Sequence, residues 1–560
     1  MTEYRSSLAR PMDPYIVWAI GAVVVLAALV VAKNLWVDNA VVFHDEYLYR
    51  VWSDVTLSSQ DILQRDLAPP LPNKLFFWVY GLSSHAGGNA YDLAQLINVV
   101  FWIGTISAAL GFAYSEGVRG PRFGLLALAA ALLPLVNYTK YFMPEMMYAC
   151  MFTVAAWLVV EGARRDTSIW FVAAGAATGA MYYIKPHALI ALGIDLVFVL
   201  FLPRRWRMLG GLTAGFAVAF ASIRVCFPPV VASPGGLGIY TDILRSLSTR
   251  MSGYQDHVGA LLIDWLHVAI PHVAMLVLYA GVPLVAAVGR LFPQFDLYRS
   301  SPGQHHFSRY LLIATFGLIG MAVSFTVFAG EIGRIHSRYY MFLMPLWLVE
   351  LARSADGRFS TKGKWLVLLL VALSVTWLLV EGNTYSSILA LSLVSDGPEW
   401  GALFGPRWLT YACLFAVMGA SLLAVFRRHL APLLTVIMTI SVIATVVTTV
   451  QQKGVFRNTF VDGKAAIATR QWIGPERVRR TMIVARDRVE LDKFLFFFQG
   501  APFVALLPDG SNAMTLLKSW PTVETFVFLS PGYVLPGHLH CQMLDSGEVR
   551  ICDVTSAVPQ

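Results

Sequence analysis

The stretch Pro14–Ala32, PYIVWAIGAVVVLAALVVA, is nineteen residues without a charge, and it is followed after a short interval by Val42-Phe43-His44-Asp45-Glu46-Tyr47-Leu48-Tyr49. A bilayer core about 30 Å thick needs ~20 apolar residues in a helix, so the run is long enough to cross. Arg5 and Arg10 precede it and no small-residue cleavage site follows, so the reading is a retained first helix rather than a signal peptide. The chain around it has the same character. It is 57% hydrophobic and 14% charged over 560 residues, with a mean hydropathy of +0.61. Soluble domains carry about 25% charged residues, so the solvent of this chain is lipid.

The same length criterion picks out thirteen segments, near 14–33, 92–113, 123–138, 145–162, 168–184, 187–202, 208–226, 262–289, 309–329, 339–353, 365–381, 408–426 and 431–450. Three are short, so the fold class expected is a polytopic α-helical membrane protein with about 11–13 transmembrane helices. With the N-terminus in the cytoplasm, the inside loops hold Arg119 and Arg122, Arg164 and Arg165, then Arg204, Arg205 and Arg207. Arg290 and Arg299, then Arg353, Arg358, Lys362 and Lys364, and finally Arg427 and Arg428 follow. This is a positive-inside pattern, and it explains much of the formal charge of +8 without a nucleic-acid partner.

Residues 1–450 then form the membrane module, with a large first outer loop over 34–91, and 451–560 form a small periplasmic α/β domain. Strand-like runs occur there at Arg480–Ala485, Val523–Leu529 and Val549–Val554. Cys541 and Cys552 flank the turn Asp545-Ser546-Gly547. A disulfide between them fits an oxidising periplasm; two unpaired thiols are the other reading.

Five outer segments carry residues suited to chemistry. Asp45 and Glu46, flanked by His44 and aromatics, stand just beyond the first span, where a general base could meet a lipid-borne substrate; a solvated acidic cap is the plainer reading. Lys74, in Pro72-Asn73-Lys74-Leu75, can pair with a phosphate or snorkel to head groups. Glu145 opens a span, where the helix dipole alone would favour it. Lys185-Pro186-His187 interrupts an apolar run, and a cation at that depth is costly unless paired or functional. Arg338, in His336-Ser337-Arg338-Tyr339-Tyr340, is the third basic group.

In their order along the chain these motifs resemble the GT-C superfamily of polyprenyl-phosphate-sugar-dependent glycosyltransferases. One span, Asp45-Glu46-x-x-Tyr49, a proline-rich approach to Lys74 and Trp78, the basic break at Lys185, and Arg338-Tyr339 leading to Pro345 make up the likeness. The layout is similar to the protein O-mannosyltransferases and to the aminoarabinose transferases that modify lipid A. The resemblance implies that Asp45 is the general base with Glu46 as its neighbour, that Glu145 is a second acid, and that Lys74 and Arg338 contact the donor phosphate. The lipid A enzymes have Glu-Lys-Pro where this chain has Asn73-Lys74-Leu75, which removes a metal-ligand candidate and leaves a divalent cation open.

The function expected is transfer of a sugar from a polyprenyl-phosphate donor to an acceptor hydroxyl of an envelope glycan, lipid or protein, with inversion. Asp45, Glu46 and Glu145 are the catalytic candidates; Lys74, Lys185 and Arg338 are the phosphate-binding ones; His44, His187 and Tyr339 are further site candidates. No Gly-rich nucleotide loop occurs, in keeping with a donor that needs no nucleotide cofactor. The expected setting is the bacterial inner membrane, N-terminus cytoplasmic. A transporter or flippase of a lipid-linked glycan is the alternative; it would need cations for the phosphate but no base.

Overall fold

The computed structural model describes residues 14–36, 46, 49–50, 52–53, 73–83, 90–226, 258–299, 305–329, 335–392, 407–427, 430–455, 457–498, 502–508, 510–511, 520, 522–530, 532–535, 539–543 and 549–553. Asp45 and His44 lie outside them. Among the described residues eight helices are long and apolar enough to cross a membrane, among them Pro14–Trp36, Glu145–Arg165 and Val258–Leu291, and a bent pair, Pro121–Leu132 with Pro134–Lys140, brings the number to nine. The chain is a multi-pass membrane protein.

The thirteen apolar segments are all helical, but they do not all reach span length. Residues 168–184 become the helix Ser168–Tyr182, and 187–202 the 13-residue helix Ala188–Leu200. The segment at 339–353 is the clearest departure: it is two 3₁₀ turns followed by the 10-residue helix Met344–Arg353. Met344 to Ala352 are all buried, which explains the misreading, since a helix enclosed by other helices is apolar all round just as a span is.

Short helices dock where glycines let backbones touch. Gly175 and Gly179 on Ser168–Tyr182 face Gly211 and Gly215 on Arg205–Cys226, each pair one turn apart. A Cβ at Gly175 would sit 2.0 Å from the carbonyl oxygen of Leu212, and one at Gly215 2.0 Å from that of Val172. Small residues spaced by four are how membrane helices gain contact where no hydrophobic drive acts between them.

At one end of the bundle charges do the joining. Glu350, fully buried, accepts hydrogen bonds from Arg290, from Ser308 Oγ at 3.0 Å and from Arg353 Nη1 at 2.8 Å. Arg353 Nε also meets Glu116 at 3.0 Å, and Glu116 pairs with Arg164. Four spans and Met344–Arg353 are tied together by this network. Arg164, Arg290 and Arg353, expected as inside-loop charges, are all three structural ion-pair partners as well.

The polar C-terminal region forms a five-stranded mixed sheet in which Phe503–Leu506, Thr481–Ala485, Thr525–Phe528, Arg550–Asp553 and His540–Met543 lie side by side in that order. Its strands are β3 (Thr481–Ala485), β4 (Phe503–Leu506), β5 (Thr525–Phe528), β6 (His540–Met543) and β7 (Arg550–Asp553); β1 (Tyr298–Arg299) and β2 (Arg358–Phe359) are a separate short ribbon. The helix Arg488–Phe498 links the parallel neighbours β3 and β4. Cys541 and Cys552 are directly opposite on β6 and β7, with Cα atoms 4.1 Å apart, and are joined as a disulfide.

Candidate active site

Glu145 is the first residue of the span Glu145–Arg165, so it stands at the end of the bundle opposite Arg164, about 30 Å away at 1.5 Å per residue. It is there because Pro134 ends the preceding helix: the chain turns through 43°, runs as 3₁₀ helix to Lys140, and re-enters at Pro144. Lys185 reaches the same place from another break. Tyr182 ends its helix, Pro186 prevents its continuation, and the Lys185 Nζ lies 2.8 Å from Glu145 Oε1. Both residues are buried, and Glu145 Oε2 has no hydrogen-bond partner among the described residues.

The third arm is the 3₁₀ turn Ser337–Tyr339. Tyr339 stacks on His187 with ring centroids 4.8 Å apart, and the Lys185 ammonium sits 5.2 Å from the centre of the Tyr339 ring. The Arg338 guanidinium carbon is 5.3 Å from the same ring. Glu145, Lys185, His187, Arg338 and Tyr339 line one pocket with Tyr138 and Tyr148. Burial, then the neighbouring Lys185 and Arg338, push His187 well below its ordinary pKa, so it is neutral at pH 7. Among the described residues the pocket lining therefore sets two cations, Lys185 and Arg338, beside the carboxylate of Glu145.

The first outer loop reaches this pocket from the side. Asn73 Nδ2 donates to Ile184 O at 2.5 Å, and the Leu75 and Phe76 amides donate to Tyr183 O at 2.9 and 3.3 Å. The helix Lys74–Gly81 thus hangs by its first turn on the residues just before Lys185. Lys74 itself is not in the pocket lining. Burial, and after it the guanidinium of Arg224, lowers its pKa, which places Lys74 and Arg224 as a second basic group beside the same break. Glu46 is fully buried, and its Oε1 accepts the Phe142 amide at 2.6 Å. It thus acts on the backbone three residues before Glu145 and does not line the pocket.

The structure brings together Glu145, Lys185, His187, Arg338 and Tyr339, drawn from three separate segments. It adds Tyr138 and Tyr148, which carried no signal in the sequence because aromatic residues are common throughout the spans. Among the described residues no three His, Cys, Asp or Glu side chains are grouped to hold a metal ion.

The fold is one seen in solved membrane-protein structures. It superimposes on crystal structures of ArnT from Cupriavidus metallidurans, one bound to undecaprenyl phosphate and one in the apo state. The first match has a TM-score of 0.54 at 15% identity and covers 98% of this chain and 99% of that one. The second has a TM-score of 0.53 at 15% identity, with 97% and 100% covered. No protein-family model matches the sequence, and no curated protein does.

Proposed function

We propose that the chain is a membrane glycosyltransferase that moves a sugar from a polyprenyl-phosphate donor to an acceptor hydroxyl on the outer face of the bacterial inner membrane. The observation that carries this reading is the convergence of Lys185 and Arg338 on a buried pocket that they share with Glu145. The ArnT fold match, one member of which holds undecaprenyl phosphate, adds support.

In the proposed reaction the acceptor oxygen attacks C1 of the sugar from the side opposite the phosphate. The C1–O bond to phosphate breaks, and its electron pair leaves on the polyprenyl phosphate, which gains a negative charge. Lys185 and Arg338 are placed to stabilise that charge, and preorganised groups of this kind usually give the largest single contribution to rate. The acceptor proton passes to a carboxylate, Asp45 in this reading. Glu145, already held by Lys185, sets the cation's position and is the second acid. Lys74, with Arg224 beside it, serves the approach of the donor phosphate. Glu46 fixes the backbone that delivers Glu145. His187, neutral and stacked on Tyr339, can hydrogen-bond without adding charge.

The N-terminus is placed in the cytoplasm and the C-terminal domain in the periplasm. The basic inside loops support this, and so does the disulfide, which persists in oxidising compartments. The test is transfer in proteoliposomes supplied with a set of polyprenyl-phosphate sugars and an envelope acceptor. Wild type should transfer, and Asp45→Asn at equal folded amount should lose the activity. Equal transfer by both would remove Asp45 as the base.

A further inference from the structure

The helix Arg488–Phe498 ends in Leu495-Phe496-Phe497-Phe498, and it is apolar on more than one face. Phe494 and Phe498, one turn apart, stack with ring centroids 5.8 Å apart, and both are buried. Phe497 lies against Gly463 of the neighbouring helix Arg457–Ile473, where a Cβ would come within 3.1 Å of its ring. These contacts hold the C-terminal domain together. Phe496 is two residues from Phe494, about 200° round the helix, and so leaves on the other side. There it would be exposed, yet it is only 1% accessible.

What covers it comes from the membrane module. The Arg50 guanidinium carbon lies 4.8 Å from the centre of the Phe496 ring. Tyr91 meets the ring edge-on at 5.5 Å, and Phe142 does so at 6.5 Å. None of the three lines the pocket itself; they pack behind the backbone that leads into Glu145. Phe142 carries the amide that Glu46 accepts and precedes Glu145 by three residues; it also packs on Tyr80 and Phe76 of the first-loop helix, at 5.6 and 6.0 Å. Tyr91 donates its hydroxyl to Lys140 O at 2.6 Å, in the 3₁₀ segment that leads to Phe142. One side chain of the soluble domain therefore touches the first loop, the start of the second long span and the approach to Glu145 at once.

We propose that Phe496 is a positioning residue: through it the C-terminal domain clamps Arg50, Tyr91 and Phe142 behind the approach to Glu145 and keeps Glu46 and Glu145 in register. Sugar transfer then requires the domain to be docked. That last step rests on the transferase reading above; the clamp itself does not. An edge-on aromatic pair and a cation over a ring both attract beyond the area they bury, more so when shielded from water, so several on one ring can hold a loop closed.

The test is hydrogen exchange on the full chain in lipid nanodiscs, comparing wild type with Phe496→Ala. The amides of 138–143 and 49–53 should exchange about tenfold faster, while β3 and β5 stay protected, because local opening is uncoupled from global unfolding. If Phe496→Ala also exposes β3 and β5, the decision passes to Arg50→Met, which leaves the soluble domain untouched and should speed exchange at 138–143. Unchanged exchange at 138–143 in the folded variant overturns the clamp. In the transfer assay Phe496→Ala should lower kcat with donor KM within about twofold of wild type, since Lys185 and Arg338 lie on other segments. A raised donor KM at unchanged kcat would overturn the positioning role. Failure of wild type to transfer any donor would sink the transferase reading alone, and the exchange result would still decide the clamp.

Discussion

Lys185→Met places the sharpest load on the site. It leaves Glu145, 7% accessible, without the ammonium now 2.8 Å away. Removing one partner of a buried ion pair costs about 3–5 kcal/mol, because the stranded charge keeps its desolvation penalty. Arg338 lines the same pocket and can shift toward the carboxylate, so the lower end, about 3 kcal/mol, is expected. Glu145→Gln in the same chain removes the stranded charge, and Lys185→Met with Glu145→Gln should recover most of the lost stability. If the pair served only to hold two helices together, that double variant would also recover transfer. The present account expects it not to: loss of one preorganised cation at the leaving phosphate should lower kcat by about 10²–10³-fold, whatever the stability. Thermal unfolding in detergent gives the first quantity and single-turnover transfer by folded protein gives the second. A stable double variant that transfers within about threefold of wild type would refute the reasoning, as an effect that small is less than 1 kcal/mol.

Gly175→Leu should prevent close approach of Ser168–Tyr182 and Arg205–Cys226, since even a Cβ would meet Leu212 O at 2.0 Å; the readout is loss of folded protein in the membrane fraction, whereas Gly193→Leu, with nothing within 4 Å of its Cβ, should accumulate normally. Opening the disulfide by Cys541→Ser with Cys552→Ser, which closes a loop of sequence separation 11, should cost about 3 kcal/mol, read as earlier unfolding or proteolysis of the C-terminal sheet with the helical module intact. His187 has a folded pKa below its unfolded value, so the unfolded chain binds the extra proton; stability should fall as pH drops below about 6.5, by at most about 1.4 kcal/mol per pH unit, and His187→Gln should remove that slope in thermal melts. Arg290→Met, which takes from buried Glu350 one of its two arginine partners among the described residues at the other end of the bundle, should lower thermal stability while leaving transfer per folded molecule close to wild type.

The membrane class, the break at Pro186, and the GT-C resemblance were legible because each has a local physical signal: apolar length, a proline that stops a helix, charges that cannot sit in lipid alone; the bend at Pro134, inside the single apolar segment 123–138, was not. Three of the strands of the C-terminal sheet were likewise visible as β-branched and aromatic runs. β4 and β6 were not, because Phe503–Leu506 and His540–Met543 are short edge strands whose identity comes from their neighbours. Within the site, Lys185 and Arg338 stood out as isolated cations on the outer side, yet nothing in the sequence said that Glu145 would be Lys185's partner, since the contact spans forty residues. Glu46 was read for chemistry from its adjacency to Asp45. In the structure its Oε1 accepts the Phe142 amide, a contact across 96 residues that no local signal announces. Met344–Arg353 was misread as a span because enclosure by protein and enclosure by lipid select the same side chains.

The most direct measurement of the central claim is the fate of the donor in a single turnover. Purified protein in proteoliposomes would receive a polyprenyl-phosphate sugar labelled in both lipid phosphate and sugar, together with acceptor. The account expects free polyprenyl phosphate and glycosylated acceptor to appear in equal amounts, with the anomeric configuration inverted. Donor that crosses the bilayer with its sugar–phosphate bond intact, and no free polyprenyl phosphate, would contradict it and point to a transporter.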